Sequence, residues 1–145
     1  MYSIGYDLGS SSIKAALVEV GSGKQVAFTH QPKGEMGMIS VKNSWAEQDP
    51  EVWWEMVCLA TKKLLKISGI NPKQITAIGI AYQMHGLVVV DKMGVPLRNA
   101  IIWCDSRAVE IGNKAYKSLG TEKCMNHLLN SPANFTASKL KWVYD

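Results

Sequence analysis

The sequence lacks the cysteine patterns that build disulfide frameworks or zinc sites. Its 145 residues include 3 cysteines, Cys58, Cys104 and Cys124, and none of them belongs to a Cys-x-x-Cys pair. No histidine stands at the spacing from them that a zinc site uses. An odd number of unpatterned cysteines favours a reducing compartment, so we expect a cytoplasmic protein.

Membrane-spanning and export segments are also missing. No apolar run reaches the roughly 20 residues that a transmembrane helix needs. The first residues, MYSIGYDLG, predict a β-strand rather than the basic segment and apolar core of a signal peptide. We therefore expect neither a membrane partner nor export.

The charge pattern argues against nucleic acid as a partner. Sixteen basic residues against 12 acidic ones give a net charge of +4, but the basic residues are scattered along the chain. Nucleic-acid binding usually shows a basic patch with interleaved aromatic residues. With 47% hydrophobic residues, the sequence predicts one globular domain with a solvated, weakly basic surface.

The familiar nucleotide-binding loops GxxxxGK[ST] and GxGxxG are absent. Instead, the stretch IGYDLGSSSIKAALVEV predicts two β-strands around a turn, with Asp7 at the end of the first strand. The turn consists of Gly9, Ser10, Ser11 and Ser12. Without bulky side chains, its N–H groups and hydroxyls can approach a phosphate closely, and Lys14 adds positive charge. A carboxylate there requires a cation such as Mg²⁺, whereas an ordinary hairpin is the alternative for this stretch taken alone.

Periodicity and turn signals beyond this hairpin predict an α/β domain. A third strand at 25–30 completes an antiparallel meander, and a surface loop follows it. A helix begins near Pro50 and ends at Gly69. The later predicted elements are a buried strand at 75–82, strands at 87–91 and 99–104, a polar helix from about Ser106, and short helices after Gly120. Because an apolar helical pattern has just begun where the chain ends, we expect a fragment.

Four segments in this order resemble the N-terminal domain of the FGGY carbohydrate kinases: YDLGSSSIK, WAEQDPEVWW, GIAYQMHGLVVVD and NAIIWCDSRA. The final SKLKWVYD is similar to the start of a further family signature, although Asn134 departs from the residue class usual at its head. Within the family, the segment QMHG resembles the xylulokinase group.

The resemblance implies an actin-like, ribonuclease-H-like α/β fold, with a mixed sheet (an antiparallel meander plus later strands) flanked by helices. Residues 1–145 would form an incomplete N-terminal, sugar-binding domain, and ATP would lie between it and a second domain that this chain lacks. The implied reaction is ATP-dependent phosphorylation of D-xylulose to D-xylulose 5-phosphate in xylose metabolism. The family's general base is an Asp expected beyond Asp145, so no catalytic residue is assigned here. A homodimer is left open.

The resemblance also implies roles for two groups of residues. Asp7 would hold Mg²⁺ through water against the ATP phosphates, and the Gly9–Ser12 turn with Lys14 would accommodate the transferred group. Imidazole and carboxylate groups exchange hydrogen bonds with sugar hydroxyls, and an indole face packs on sugar C–H groups. The implied substrate-binding residues are Gln83, Met84, His85, Trp103 and Asp105.

Alternatives remain for individual residues and for the function. His85 could have a structural role, Trp103 could lie in the core, and Arg107 could be a surface helix residue or a ligand contact. A kinase for another ketose or polyol is one functional alternative, because few residues decide between such substrates. A non-catalytic sugar-binding half-domain is another. A ribonuclease-H-type nuclease is remote, since it needs more converging acids than the first strand offers.

Overall fold

The computed structural model describes all residues from Met1 to Asp145. In chain order the elements are β1 (Tyr2–Leu8), β2 (Ile13–Glu19), β3 (Gln25–Gln31), β4 (Glu47–Gln48), α1 (Pro50–Ser68), β5 (Ile75–Tyr82), β6 (Ala100–Ile101), α2 (Val109–Leu119), α3 (Thr121–Leu128) and α4 (Thr136–Tyr144). None of these helices is both long enough and apolar enough to cross a membrane.

The chain divides into two compact units, each assembled from two separate stretches of sequence. The first unit comprises Met1–Gly37 and Pro50–Gln83, and the second comprises Met38–Asp49 and Met84–Asp145.

A four-stranded mixed sheet with the order β3-β2-β1-β5 organises the first unit. The first three strands pair antiparallel, which confirms the predicted meander. Strand β5 pairs parallel to β1 after the α1 crossover. Helix α1 begins at Pro50 and ends before Gly69, whose φ of +66° suits a residue without Cβ, as the sequence predicts.

The core of the first unit lies under one face of the meander. Alternate residues of β1 and β2 are buried, as the period of two requires, and helix α1 covers them with Ala60 and Leu64. The hydroxyls of Tyr6 and Thr61 lie 2.6 Å apart, which joins β1 to α1. The buried cluster is Ile4, Tyr6, Ile13, Ala15, Leu17, Ala27, Met36, Ala60 and Leu64.

The prediction that strand 75–82 is buried was wrong. The strand forms, but Ile78, Ile80 and Tyr82 are 62%, 63% and 73% exposed. It lies at the sheet edge, and β1 is the one element in extensive contact with it, so its apolar side chains remain uncovered. Beside it runs an apolar groove of about 600 Å³ between the sheet and α1, lined by Tyr6, Leu8, Trp54, Val57, Cys58, Thr61, Lys62, Ile78 and Ile80.

The second unit has little sheet. Strands β4 and β6 pair over two residues each, and only isolated bridges extend the pairing, at Ile39–Glu47, Leu87–Ile101 and Val90–Pro96. The predicted strands at 87–91 and 99–104 were therefore too long. The carboxylate of Asp91 accepts from two following N–H groups and turns the chain, so that Val90 bridges to Pro96 in a short hairpin.

Helices make up the rest of the second unit. Helix α2 begins at Val109, three residues later than predicted, since Asp105 and Ser106 form turns before it. Gly112 allows close packing: a Cβ there would lie 2.3 Å from Cα of Ala133. Helices α3 and α4 confirm the short helices predicted after Gly120.

Candidate functional site

The predicted phosphate-binding residues lie together at one end of the β1–β2 hairpin. The antiparallel register places Asp7 directly opposite Lys14, with the turn between them. Gly9 N–H donates to the carbonyl of Ser12 at 3.2 Å. A Cβ on Gly9 would lie only 3.2 Å from that oxygen, so the turn is compact and favours glycine there.

An ion pair links the two charged residues of this hairpin. Nζ of Lys14 lies 2.8 Å from Oδ2 of Asp7, and the two side chains are 48% and 49% exposed. Such a pair contributes only about 0–1 kcal/mol to stability. The carboxylate is therefore accessible to water, and another cation can replace the lysine at little cost.

Asp7 is the one carboxylate that the sequence assigns to a metal. No cluster of three or more His, Cys, Asp or Glu side chains in the structure could hold a metal ion by itself. Mg²⁺ in phosphoryl-transfer sites commonly takes one or two carboxylates and completes its shell with water and substrate phosphates. A half-exposed carboxylate beside a Gly and Ser turn fits that requirement.

The predicted substrate-binding residues are divided between the two units. Gln83 closes the first unit, where its N–H donates to the carbonyl of Leu8 at 3.1 Å. Met84, His85, Trp103 and Asp105 belong to the second unit. Met84 is 68% exposed, as an apolar wall of an open site would be.

His85 is held in an uncommon conformation by residues of the α4 region. Its φ is +64°, in the left-handed region that few non-glycine residues adopt. Its ring stacks on Phe135, with centroids 4.6 Å apart and planes within 10°. The His85 carbonyl accepts from Nζ of Lys139 at 2.7 Å, and the Gly86 carbonyl accepts from the hydroxyl of Thr136 at 3.0 Å.

Lys139 is a residue that the sequence reasoning missed. It is fully buried, and its second hydrogen bond goes to the carbonyl of Asn134 at 3.0 Å. Burial lowers the pKa of Lys139 below its ordinary value. The available signal was its place in SKLKWVYD, the segment that is similar to the start of a further family signature.

Asp105 lies at the centre of a buried charge network. Its carboxylate accepts from the Ala46 N–H at 2.6 Å and from three nitrogens of Arg107, and it is 0% exposed. Burial acts to raise the pKa of Asp105, but the hydrogen bonds from Arg107 and the two backbone N–H groups together lower it. A contact between Asp105 and a sugar hydroxyl stays a prediction, and this conformation leaves no carboxylate surface for it.

Arg107 joins that network to two further groups. Its Nη1 lies 2.6 Å from Oε1 of Glu47, and its side chain is only 1% exposed. The guanidinium stacks on Trp45 at 3.8 Å from the ring centroid and approaches Trp142 at 5.0 Å. Burial acts to lower the pKa of Arg107, but both carboxylates raise it overall. Of the two alternatives for Arg107, the surface helix residue was wrong, because Arg107 precedes α2 and is enclosed; the ligand contact stays a prediction.

Trp103 lies at the surface of the second unit. Its side chain is 49% exposed, so the alternative in which it belongs to the core was wrong. Its carbonyl accepts from the side-chain amide of Asn134. An exposed indole face is what packing against a sugar would need.

Comparison with known proteins decides the family. Residues 2–145 match the N-terminal domain of the FGGY family of carbohydrate kinases. The chain belongs to this family. The FGGY resemblance of the four sequence segments is thereby confirmed.

Relatives of the FGGY chain include enzymes with different substrates in their names. It is 37% identical to the xylulose kinase of Bacillus subtilis (strain 168) over 147 residues, covering 98% of this chain and 28% of that enzyme. It is also 37% identical to the glycerol kinase of Thermoanaerobacter sp. (strain X514), covering 99% of this chain and 29% of that enzyme. The chain thus spans less than a third of either relative.

Solved structures confirm the fold of this FGGY domain. A crystal structure of a xyloylose kinase from Brucella ovis superposes with a TM-score of 0.86 at 30% identity. The match covers 99% of this chain and 29% of that one. The predicted actin-like α/β fold, with its mixed sheet and flanking helices, is therefore correct.

Proposed function

We propose that the full-length protein transfers the γ-phosphoryl group of ATP to D-xylulose and forms D-xylulose 5-phosphate. The observation that carries this proposal is the Asp7–Lys14 pair beside a compact Gly and Ser turn, in a chain of the FGGY family. Phosphorylation of a sugar or polyol is what the family supports. The segment QMHG is the reason for choosing D-xylulose among such substrates.

The hairpin would serve the phosphate side of the reaction. Asp7 would hold Mg²⁺, through water, against the ATP phosphates, and the ion would supply charge neutralisation for the transfer. Lys14 would move from Asp7 to a phosphate oxygen, which it can do because the ion pair is exposed and weak. The small residues of the turn would leave room for the transferred group.

The second unit would serve the sugar. His85 would exchange hydrogen bonds with a hydroxyl, since a neutral imidazole both donates and accepts. Met84 and Trp103 are exposed and would pack on the apolar face of the sugar. Asp105 would act mainly by holding Arg107, because its oxygens already accept from that side chain and from Ala46.

The remaining parts of the reaction would lie outside this chain. We propose that residues 1–145 are an incomplete N-terminal domain, and that a second domain supplies most of the ATP site and the general base. The 28% share of the Bacillus subtilis relative supports this division. We also propose a cytoplasmic location, which the three free cysteines and the use of ATP support. The proposed substrate D-xylulose places the reaction in xylose metabolism.

A polyol kinase is the second candidate, and the 37% identity to a glycerol kinase supports it. The experiment is a coupled ADP-release assay of the full-length protein over D-xylulose, other pentuloses, hexuloses, glycerol and pentitols. We expect the highest kcat/KM with D-xylulose. A higher value with a polyol would favour the second candidate. Absence of ADP release with every sugar and polyol would favour a non-catalytic sugar-binding protein.

A further inference from the structure

The conformation of His85 depends on residues about fifty positions later in the chain. The His85 ring stacks on Phe135, its carbonyl accepts from Lys139, and the next carbonyl accepts from Thr136. All of these residues belong to the second unit. Three contacts of different kinds therefore act on a turn of two residues, His85 and Gly86.

A left-handed histidine needs such support. Non-glycine residues with φ near +60° are strained relative to the ordinary regions, and they persist where surrounding contacts determine the backbone. In an unsupported turn, His85 would relax to a negative φ, and its ring would no longer stack on the Phe135 ring. The direction of the imidazole thus follows from the backbone that Lys139 holds.

Packing alone does not require a charged side chain at the buried position of Lys139. A fully buried ammonium loses its hydration, and its two hydrogen bonds go to the carbonyls of His85 and Asn134 rather than to a carboxylate. Methionine would fill the same volume without that cost. What methionine could not do is donate to the carbonyls of His85 and Asn134, and the shorter of these two bonds is the one to His85.

We propose that Lys139 is a positioning residue that holds His85 in the orientation needed to bind the sugar. The inference rests on the proposed function, in which His85 contacts the sugar. Binding groups must be held close to their productive geometry by neighbours that fix their rotamers and backbone, and the Lys139–His85 bond has that form. Lys139 touches neither substrate in this account and acts only through His85.

A double-mutant cycle in the full-length protein tests the proposal. The variants are His85→Ala, Lys139→Met and the combination, with D-xylulose affinity measured by calorimetric titration and ATP affinity measured separately. Lys139→Arg is the conservative variant, because it keeps a donor and the charge. Lys141→Met is the matched control, since Lys141 lies on the same helix but is 54% exposed.

We expect Lys139→Met to weaken sugar binding about fivefold or more, and by no more than His85→Ala does. In the His85→Ala background, Lys139→Met should cost nothing further, because its effect passes through the missing ring. Lys139→Arg should recover part of the affinity, Lys141→Met should have no effect, and ATP affinity should stay unchanged.

Distinct outcomes separate failure of this inference from failure of the proposed function. If His85→Ala weakens sugar binding but Lys139→Met does not, or if the two losses simply add, Lys139 is not a positioning residue. If His85→Ala itself leaves sugar affinity intact, the proposed sugar contact fails first. Should Lys139→Met unfold, Lys139→Gln replaces it in the same cycle, because its amide can still occupy the site with a weaker donor.

Discussion

Lys14 and Asp7 face each other across the β1–β2 ladder, with Nζ 2.8 Å from Oδ2, at the last pairs before the turn. Both side chains remain about half exposed. The pair therefore presents one cationic and one anionic group to solvent beside the same small-residue turn. This is the charge arrangement that we propose for a metal-bound phosphate, and the exposed ion pair contributes only about 0–1 kcal/mol to the stability of the hairpin.

Lys14→Met tests whether this pair serves function rather than folding. Because the ion pair is exposed, we expect the free energy of unfolding to change by less than about 1 kcal/mol. In the full-length enzyme, kcat should fall by about tenfold or more, as expected when a cation near the transferred group is removed. Chemical denaturation and steady-state kinetics measure the two quantities. A stability loss with unchanged kcat would assign Lys14 to the fold.

His85→Ala should separate sugar binding from ATP binding. We expect sugar affinity to weaken by about 1–3 kcal/mol, which is roughly five- to 150-fold, because a sugar hydroxyl loses its partner. ATP affinity should be nearly unchanged. The matched control is His127→Ala, because His127 is exposed on α3. Equal losses of sugar and ATP affinity in a folded variant would show that His85 is structural or misassigned.

The lowered pKa of Asp105 predicts that the free energy of unfolding decreases at acid pH. The pKa of Asp105 is lowered from its ordinary value of 3.8, so its contribution to the free energy of unfolding is complete above that value and is lost as the pH falls through the lowered pKa. Asp105→Asn should cost about 3–5 kcal/mol at neutral pH, since Arg107 then keeps only Glu47 as a charged partner. The Asp105→Asn variant should also lose less of its free energy of unfolding as the pH is lowered.

Denaturation of the full-length protein at a series of pH values measures this effect. Asp145→Asn is the control, because that carboxylate is 50% exposed and should change stability by less than about 1 kcal/mol. If Asp105→Asn leaves stability intact and weakens only sugar binding, the direct sugar contact predicted for Asp105 gains support instead.

The apolar groove beside β5 predicts how the 145-residue chain behaves by itself. Ile78 and Ile80 of β5 line this groove and are exposed. Exposed apolar patches at a sheet edge promote association between chains. We expect the isolated chain to bind the dye ANS and to self-associate, and Ile80→Lys to reduce both. Ile67→Lys, which alters an exposed isoleucine of α1 outside the groove, is the control. A monomeric chain without dye binding would contradict this expectation.

Local signals in the sequence were sufficient for the elements of the first unit. The alternation around Ile4 and Tyr6, the Gly and Ser turn, and the pair of Pro50 and Gly69 each act within a few residues. They correctly predicted the meander and α1. The exposure of β5 was not predictable this way, because burial depends on what lies beside a strand and not on its composition.

The short strands and the long-range side-chain contacts of the second unit could not be predicted from the sequence. Its strands pair over two residues or through isolated bridges, and the composition of 87–91 and 99–104 does not show how little pairing each stretch makes. The Asp105–Arg107–Glu47 network joins residues about sixty positions apart, and Lys139 meets His85 across a similar separation. No spacing rule relates such positions, so only the folded chain brings them together. The family resemblance identified the candidate residues but not the residues that hold them in place.

Phosphoryl transfer by an Asp7→Asn variant of the full-length protein is the most direct test of the account. The substitution keeps the shape of the side chain and removes the charge proposed to hold Mg²⁺. With γ-labelled ATP and D-xylulose, wild type should place the label on the sugar, and the variant should do so with kcat reduced by about 100-fold or more at nearly unchanged sugar affinity. The control Glu19→Gln, at the far end of β2, should behave as wild type. Label transfer by Asp7→Asn at the wild-type rate would contradict the account and leave the turn an ordinary hairpin.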